Sequence, residues 1–84
     1  KDSGSAHLRF TAQVEVVDTA AAEVTLLVPR ILDVLNSYLR AIDVASIEDP
    51  QAMGRLRAQM LRRIQIVTGE GRVRDLLITE FVLN

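Results

Sequence analysis

Few side chains in this sequence could do chemistry. His7 is its single histidine, and the serines are Ser3, Ser5, Ser37 and Ser46. None of these has a base at a spacing that suggests a nucleophile arrangement. Glu48 and Asp49 are adjacent carboxylates without further ligands nearby in sequence. They fit better at a helix N-terminus, where negative charge gains about 0.3–1 kcal/mol. "GEGR" at 69–72 follows a helical pattern rather than a strand and lacks the longer G-x-x-x-x-G-K-[ST] run of a phosphate loop, so it reads as a turn. Cysteine is absent, which removes disulfides and thiolate metal sites. No catalytic, cofactor-binding or metal-ligating residue is assigned; the expectation is a protein that is not an enzyme and takes no cofactor.

The arginines are the remaining candidates. Arg55, Arg57, Arg62 and Arg63 fall on one helical stretch, followed by Arg72 and Arg74. Arg55 and Arg62, seven residues apart, share a helix face and suggest a basic ridge. The alternative function they raise is a small β-α-α-β nucleic-acid-binding module. A KH-type RNA clamp needs G-x-x-G between its helices, and the segment here is "DVASIEDP", acidic and free of glycine. Aromatic residues are 4% of the chain, too few for base-stacking platforms. A solvated face, or charge pairing to another protein, is the better reading, and nucleic acid is not an expected partner.

The elements that position these residues follow from periodicity. With 84 residues, 49% of them hydrophobic and 25% charged, the chain supports one small core. The formal net charge of −1 gives no global attraction to polyanions. No apolar run approaches the roughly 18 residues of a spanning helix. Residues 1–6 read as a flexible start and 7–84 as a single domain. From His7 to Val16 the sequence alternates, with Leu8, Phe10, Ala12, Val14 and Val16 on one face and Arg9, Thr11, Gln13 and Glu15 on the other. That is a strand with one dry side. Asp18 or Thr19 could then cap a helix. Val24, Leu27, Val28, Ile31, Leu32, Leu35, Tyr38, Leu39 and Ile42 give it an apolar stripe, and Pro29 predicts a kink near 25–29. Asp49-Pro50 restarts a helix as N-cap and first residue, and Met53, Leu56, Met60, Leu61, Ile64 and Val67 form the second stripe. Gly69 and Gly71 stop it and turn the chain into a last strand. The expected fold class is α+β: β-α-α-β, two antiparallel strands, and a two-helix layer on one face.

The last strand raises a question. By strict alternation, Val73, Leu77, Phe81 and Leu83 form one apolar row, while Leu76, Ile78 and Val82 form the other. Two helices can cover only one side. Each large apolar group left out forgoes about 1.5–3 kcal/mol. An end strand with an open edge also invites pairing. The expected self-assembly or partner-docking residues are therefore Leu76, Leu77, Ile78, Phe81, Val82 and Leu83, with Arg55 and Arg62 as charged contacts.

The stretches "LRFTAQVEVVD", "VPRILDVLNSYLRAI" and "LRAQMLRRIQIVTGEGRVRDLLITEFVLN" resemble the flagellar basal-body-associated protein FliL family. The most specific part is the tail: a helix ending in G-x-G, then [KR]-V-[KR]-D, an apolar pair and T-E-F-V. Gly69, Gly71, Val73, Asp75, Thr79, Glu80, Phe81 and Val82 match it, and Pro29 fits too. The resemblance implies a non-enzymatic periplasmic domain of a single-pass inner-membrane protein at the flagellar basal body, stomatin-like (SPFH type) in fold. It also implies a homo-oligomeric ring around the stator proteins MotA and MotB that supports torque and motility. Membrane contact would come only through an N-terminal anchor outside these residues. The segment "NSYLRAIDVASIED" differs from the common family form.

Overall fold

The computed structural model describes residues 8–42 and 49–83, with Leu83 described by its backbone alone. The expectations for the flexible start, for His7, Ser3, Ser5, Ser46 and Glu48, and for the break "DVASIE" lie outside the described residues.

Strand β1, Leu8–Val16, alternates half-buried and exposed residues along its whole length, as its period of two requires. A single 3₁₀ turn, Asp18–Ala20, follows instead of a side-chain cap. The chain is already held there by backbone: Val17 N–H donates to the Arg72 carbonyl at 3.0 Å, and Ala20 N–H to the Val17 carbonyl at 2.9 Å. An Asp18 or Thr19 cap is thus a correction to the sequence reading.

The first helical stretch is two helices, α1 (Ala21–Leu26) and α2 (Val28–Ala41). Pro29 breaks the helix rather than bending it, and then sits in the first turn of α2, where its missing N–H costs nothing. Around the break, Leu27 N–H donates to the Val24 carbonyl at 3.0 Å and Ile31 N–H to the Leu27 carbonyl at 2.9 Å. Helix α3 (Pro50–Thr68) starts as its sequence dictates, the Asp49 carboxylate accepting from Gln51 N–H at 3.0 Å. Gly69 and Gly71 then adopt φ of 97° and 84°, a region that glycine enters without strain. Strand β2, Val73–Leu83, pairs antiparallel with β1 in a two-stranded sheet.

Ile31, Leu35 and Leu39 of α2 meet Leu56, Met60 and Ile64 of α3 and Val73 and Leu76 of β2 in one core. Val28 and Leu32, assigned to the α2 stripe by period, are exposed. Leu32 lies about 60° around the helix from Leu35 at 100° per residue, on the flank of the stripe rather than at its centre.

The alternation expected for β2 does not hold. The register pairs Val16 with Val73, Val14 with Leu76, Ala12 with Ile78 and Phe10 with Phe81. It shifts between Glu15 and Val16 and again between Thr11 and Ala12, so that Arg74 and Thr79 are the extra residues of two bulges. Each bulge moves one residue out of phase. Apolar residues of both parities, Val73, Leu76, Ile78 and Phe81, thereby face the helices. Phe10 and Phe81 meet edge to face, ring centroids 6.0 Å apart.

Candidate docking surface

The bulges also decide what the other side of the sheet carries. Opposite the helices, β1 presents Arg9, Thr11, Gln13 and Glu15, paired in register with Val82, Glu80, Leu77 and Asp75. Polar contacts knit one end of this surface. Thr11 Oγ1 donates to Glu80 Oε1 at 3.0 Å, Thr79 Oγ1 to the Thr11 carbonyl at 3.2 Å, and Arg9 lies 3.9 Å from Glu80. At the other end Glu15 stands directly across from Asp75, two like charges on neighbouring strands, an unfavourable arrangement. Arg57 reaches from α3 to Asp75 at 2.9 Å and relieves part of it. Glu15 has no cationic partner among the described residues.

Two large apolar side chains break this polar surface. Leu77 is 59% exposed and Val82 44% exposed. Beside Leu77 a recess of about 240 Å³ is bounded by Gln13, Glu15 and Asp75. Water must order against Leu77 and Val82 as the chain stands, and covering them would be favourable.

The docking residues expected from sequence therefore part company. Leu76 is 2% exposed and belongs to the core, with Ile78 and Phe81 half-buried against it. Leu77 and Val82 face outward, and the Leu83 backbone pairs with Leu8. Arg55 and Arg62 are exposed on α3. Counting 100° per residue, they lie roughly 140–160° around the helix from the fully buried Met60, on the side turned away from the sheet. Ile66, 71% exposed, joins them there; it lies out of phase with the apolar stripe, the sequence signal that could have marked it. Arg62, Ile66, Gly69 and Glu70 bound a recess of about 430 Å³ at the end of α3. Leu26, Val28 and Leu32 are also exposed, around the α1–α2 break.

Arg57, Arg63 and Arg72 are engaged within the chain. Arg63 lies 4.2 Å from the centre of the Tyr38 ring, and Arg72 binds Glu23 at 2.8 Å while donating to the Thr68 carbonyl at 3.1 Å. Among the described residues no cluster of three or more His, Asp or Glu could hold a metal ion. No described helix is long and apolar enough to cross a membrane.

The sequence profile described as "Flagellar basal body-associated protein FliL" matches residues 1–83. The chain is similar to the "Flagellar FliL protein" of two strains of Caulobacter vibrioides, with 30% identity over 84 residues in each case. That alignment takes in 99% of this chain and 41% of each relative, so the chain spans about two fifths of their length.

Proposed function

We propose, for a chain that belongs to the FliL family of flagellar basal-body-associated proteins, that this domain is a non-enzymatic scaffold which self-associates through its outer sheet face beside the stator. The observation that carries the reading is the pair Leu77 and Val82, left in water on an otherwise polar sheet surface that the domain's own helices leave uncovered. In this reading the domain is periplasmic, carried by an inner-membrane anchor, and copies of it form a ring around the MotA–MotB channel.

The mechanism is energetic rather than chemical. A ring that contacts the stator shifts it toward the torque-generating state only by the difference in its affinity for the two states. A tenfold difference supplies about 1.4 kcal/mol. Assembly can be weak for the isolated domain, since tethering to a membrane raises the effective concentration of neighbours. The test is motility. Cells lacking the gene should swim or swarm poorly in viscous medium, and an allele with Leu77→Asp at normal protein level should behave the same way. Full motility in the deletion strain would remove the proposal, and full motility of the Leu77→Asp allele would detach the sheet face from it.

A further inference from the structure

Opposite sides of this domain complement each other. Helix α3 carries Arg55, Arg57, Arg62 and Arg63 and no Asp or Glu over 19 residues. Arg57 is held by Asp75 and Arg63 by the Tyr38 ring. Arg55 and Arg62 are left facing away from the core without an anionic partner among the described residues. Next to Arg62 stand the exposed Ile66 and the recess of about 430 Å³, which Glu70 also lines. Across the molecule, the sheet presents the converse: the like-charged Glu15 and Asp75 in register, a shallow recess, and the protruding Leu77. One face offers two unpaired cations and an exposed apolar side chain, Ile66, at the rim of a mostly polar recess, the other carboxylates around an apolar knob.

We infer that the α3 face of one copy (Arg55, Arg62, Ile66) docks on the outer sheet face (Glu15, Leu77, Val82) of a second copy. Leu77 enters the recess beside Ile66, and Arg62 comes to Glu15, relieving the cross-strand repulsion that Arg57 leaves in place. The two surfaces are different patches on opposite sides of one chain, so the contact is head-to-tail. Each copy keeps one face open for the next, and such a contact propagates into a ring or a filament according to whether its rotation closes. This inference rests on the self-association proposed above and specifies its geometry.

The experiment is complementation of two face-specific variants of this chain. Arg55→Glu/Arg62→Glu removes the α3 face; Leu77→Arg/Val82→Arg removes the sheet face. All four residues are exposed, so both variants should keep the wild-type circular dichroism and melting behaviour. Measured by sedimentation in low salt, wild type should gain mass with concentration. Each variant alone should need at least about tenfold more protein to do so. Their equimolar mixture should stop at a 1:1 dimer, formed by the intact α3 face of one variant on the intact sheet face of the other. A wild type that stays monomeric overturns this inference and the self-association reading together. Variants that assemble like wild type, or two monomeric variants whose mixture stays monomeric, overturn the head-to-tail geometry alone. So does a wild type that binds duplex DNA or phosphatidylglycerol vesicles through Arg55 and Arg62 while its own assembly is unaffected by their reversal.

Discussion

Leu76 and Leu77 are adjacent leucines in one strand, and truncating each to alanine should have opposite consequences. Leu76 is 2% exposed and packed in the core, so Leu76→Ala removes buried methyl groups and leaves a cavity, at about 2–5 kcal/mol. Leu77 is 59% exposed on the outer face, so Leu77→Ala should stay within about 0.5 kcal/mol of wild type. A domain of 84 residues has roughly 4–13 kcal/mol in total, which makes the first loss a large share of it. Urea unfolding of both variants, at protein concentrations low enough to suppress association, reads the difference directly from the midpoint at constant slope. In thermal melts the Leu76 variant should fall by about 8–40 °C, at about 4–8 °C per kcal/mol, while the Leu77 variant hardly moves. Equal losses for the two, or a silent Leu76→Ala, would refute the bulged register.

Three further outcomes follow from particular contacts. A double-mutant cycle on Phe10 and Phe81 should give a coupling of about 0.5–1.5 kcal/mol for their edge-to-face contact, and a coupling near zero means the strands are paired differently. Asp49→Ala should cost about 1 kcal/mol in urea unfolding by orphaning Gln51 N–H, while Asp49→Ser should be close to neutral. Gly71→Ala should cost about 1–2 kcal/mol from backbone strain alone, because no atom lies within 4 Å of the added methyl. Gly71→Asn should cost less, which separates strain from crowding.

Much of the fold was legible in the sequence because local chemistry and tertiary structure agree there. The alternation of β1, the Asp49-Pro50 start, the stripe Leu56–Met60–Ile64 and the glycine stop at 69–71 each reflect one rule acting on a few neighbouring residues. The order β-α-α-β and the antiparallel pairing followed from those elements. Two features were not legible. Pro29 said that a helix must yield, but whether it bends or ends depends on whether flanking amides find other partners. The bulges at Arg74 and Thr79 are set by the partner strand: β1 offers one dry face in strict period two, and β2 meets it only by slipping twice. Strict alternation therefore grouped Phe81 with Leu77, whereas the folded strand turns Phe81 in and Leu77 out. Of the tail candidates whose side chains are described, Leu77 and Val82 turn outward, and Arg55 and Arg62 lie on the far side. The apolar excess read in the tail is real but smaller than its composition suggests.

Mass as a function of concentration for wild type, Leu77→Asp and Leu26→Asp tests the claim that the outer sheet face is where another copy sits. Leu26, at 81%, is the more exposed leucine and serves as the control for mere surface apolarity. The account predicts that wild type and Leu26→Asp rise together above the 9.3 kDa monomer while Leu77→Asp stays at it. Leu77→Asp assembling as readily as wild type, or wild type remaining a monomer throughout, would contradict it.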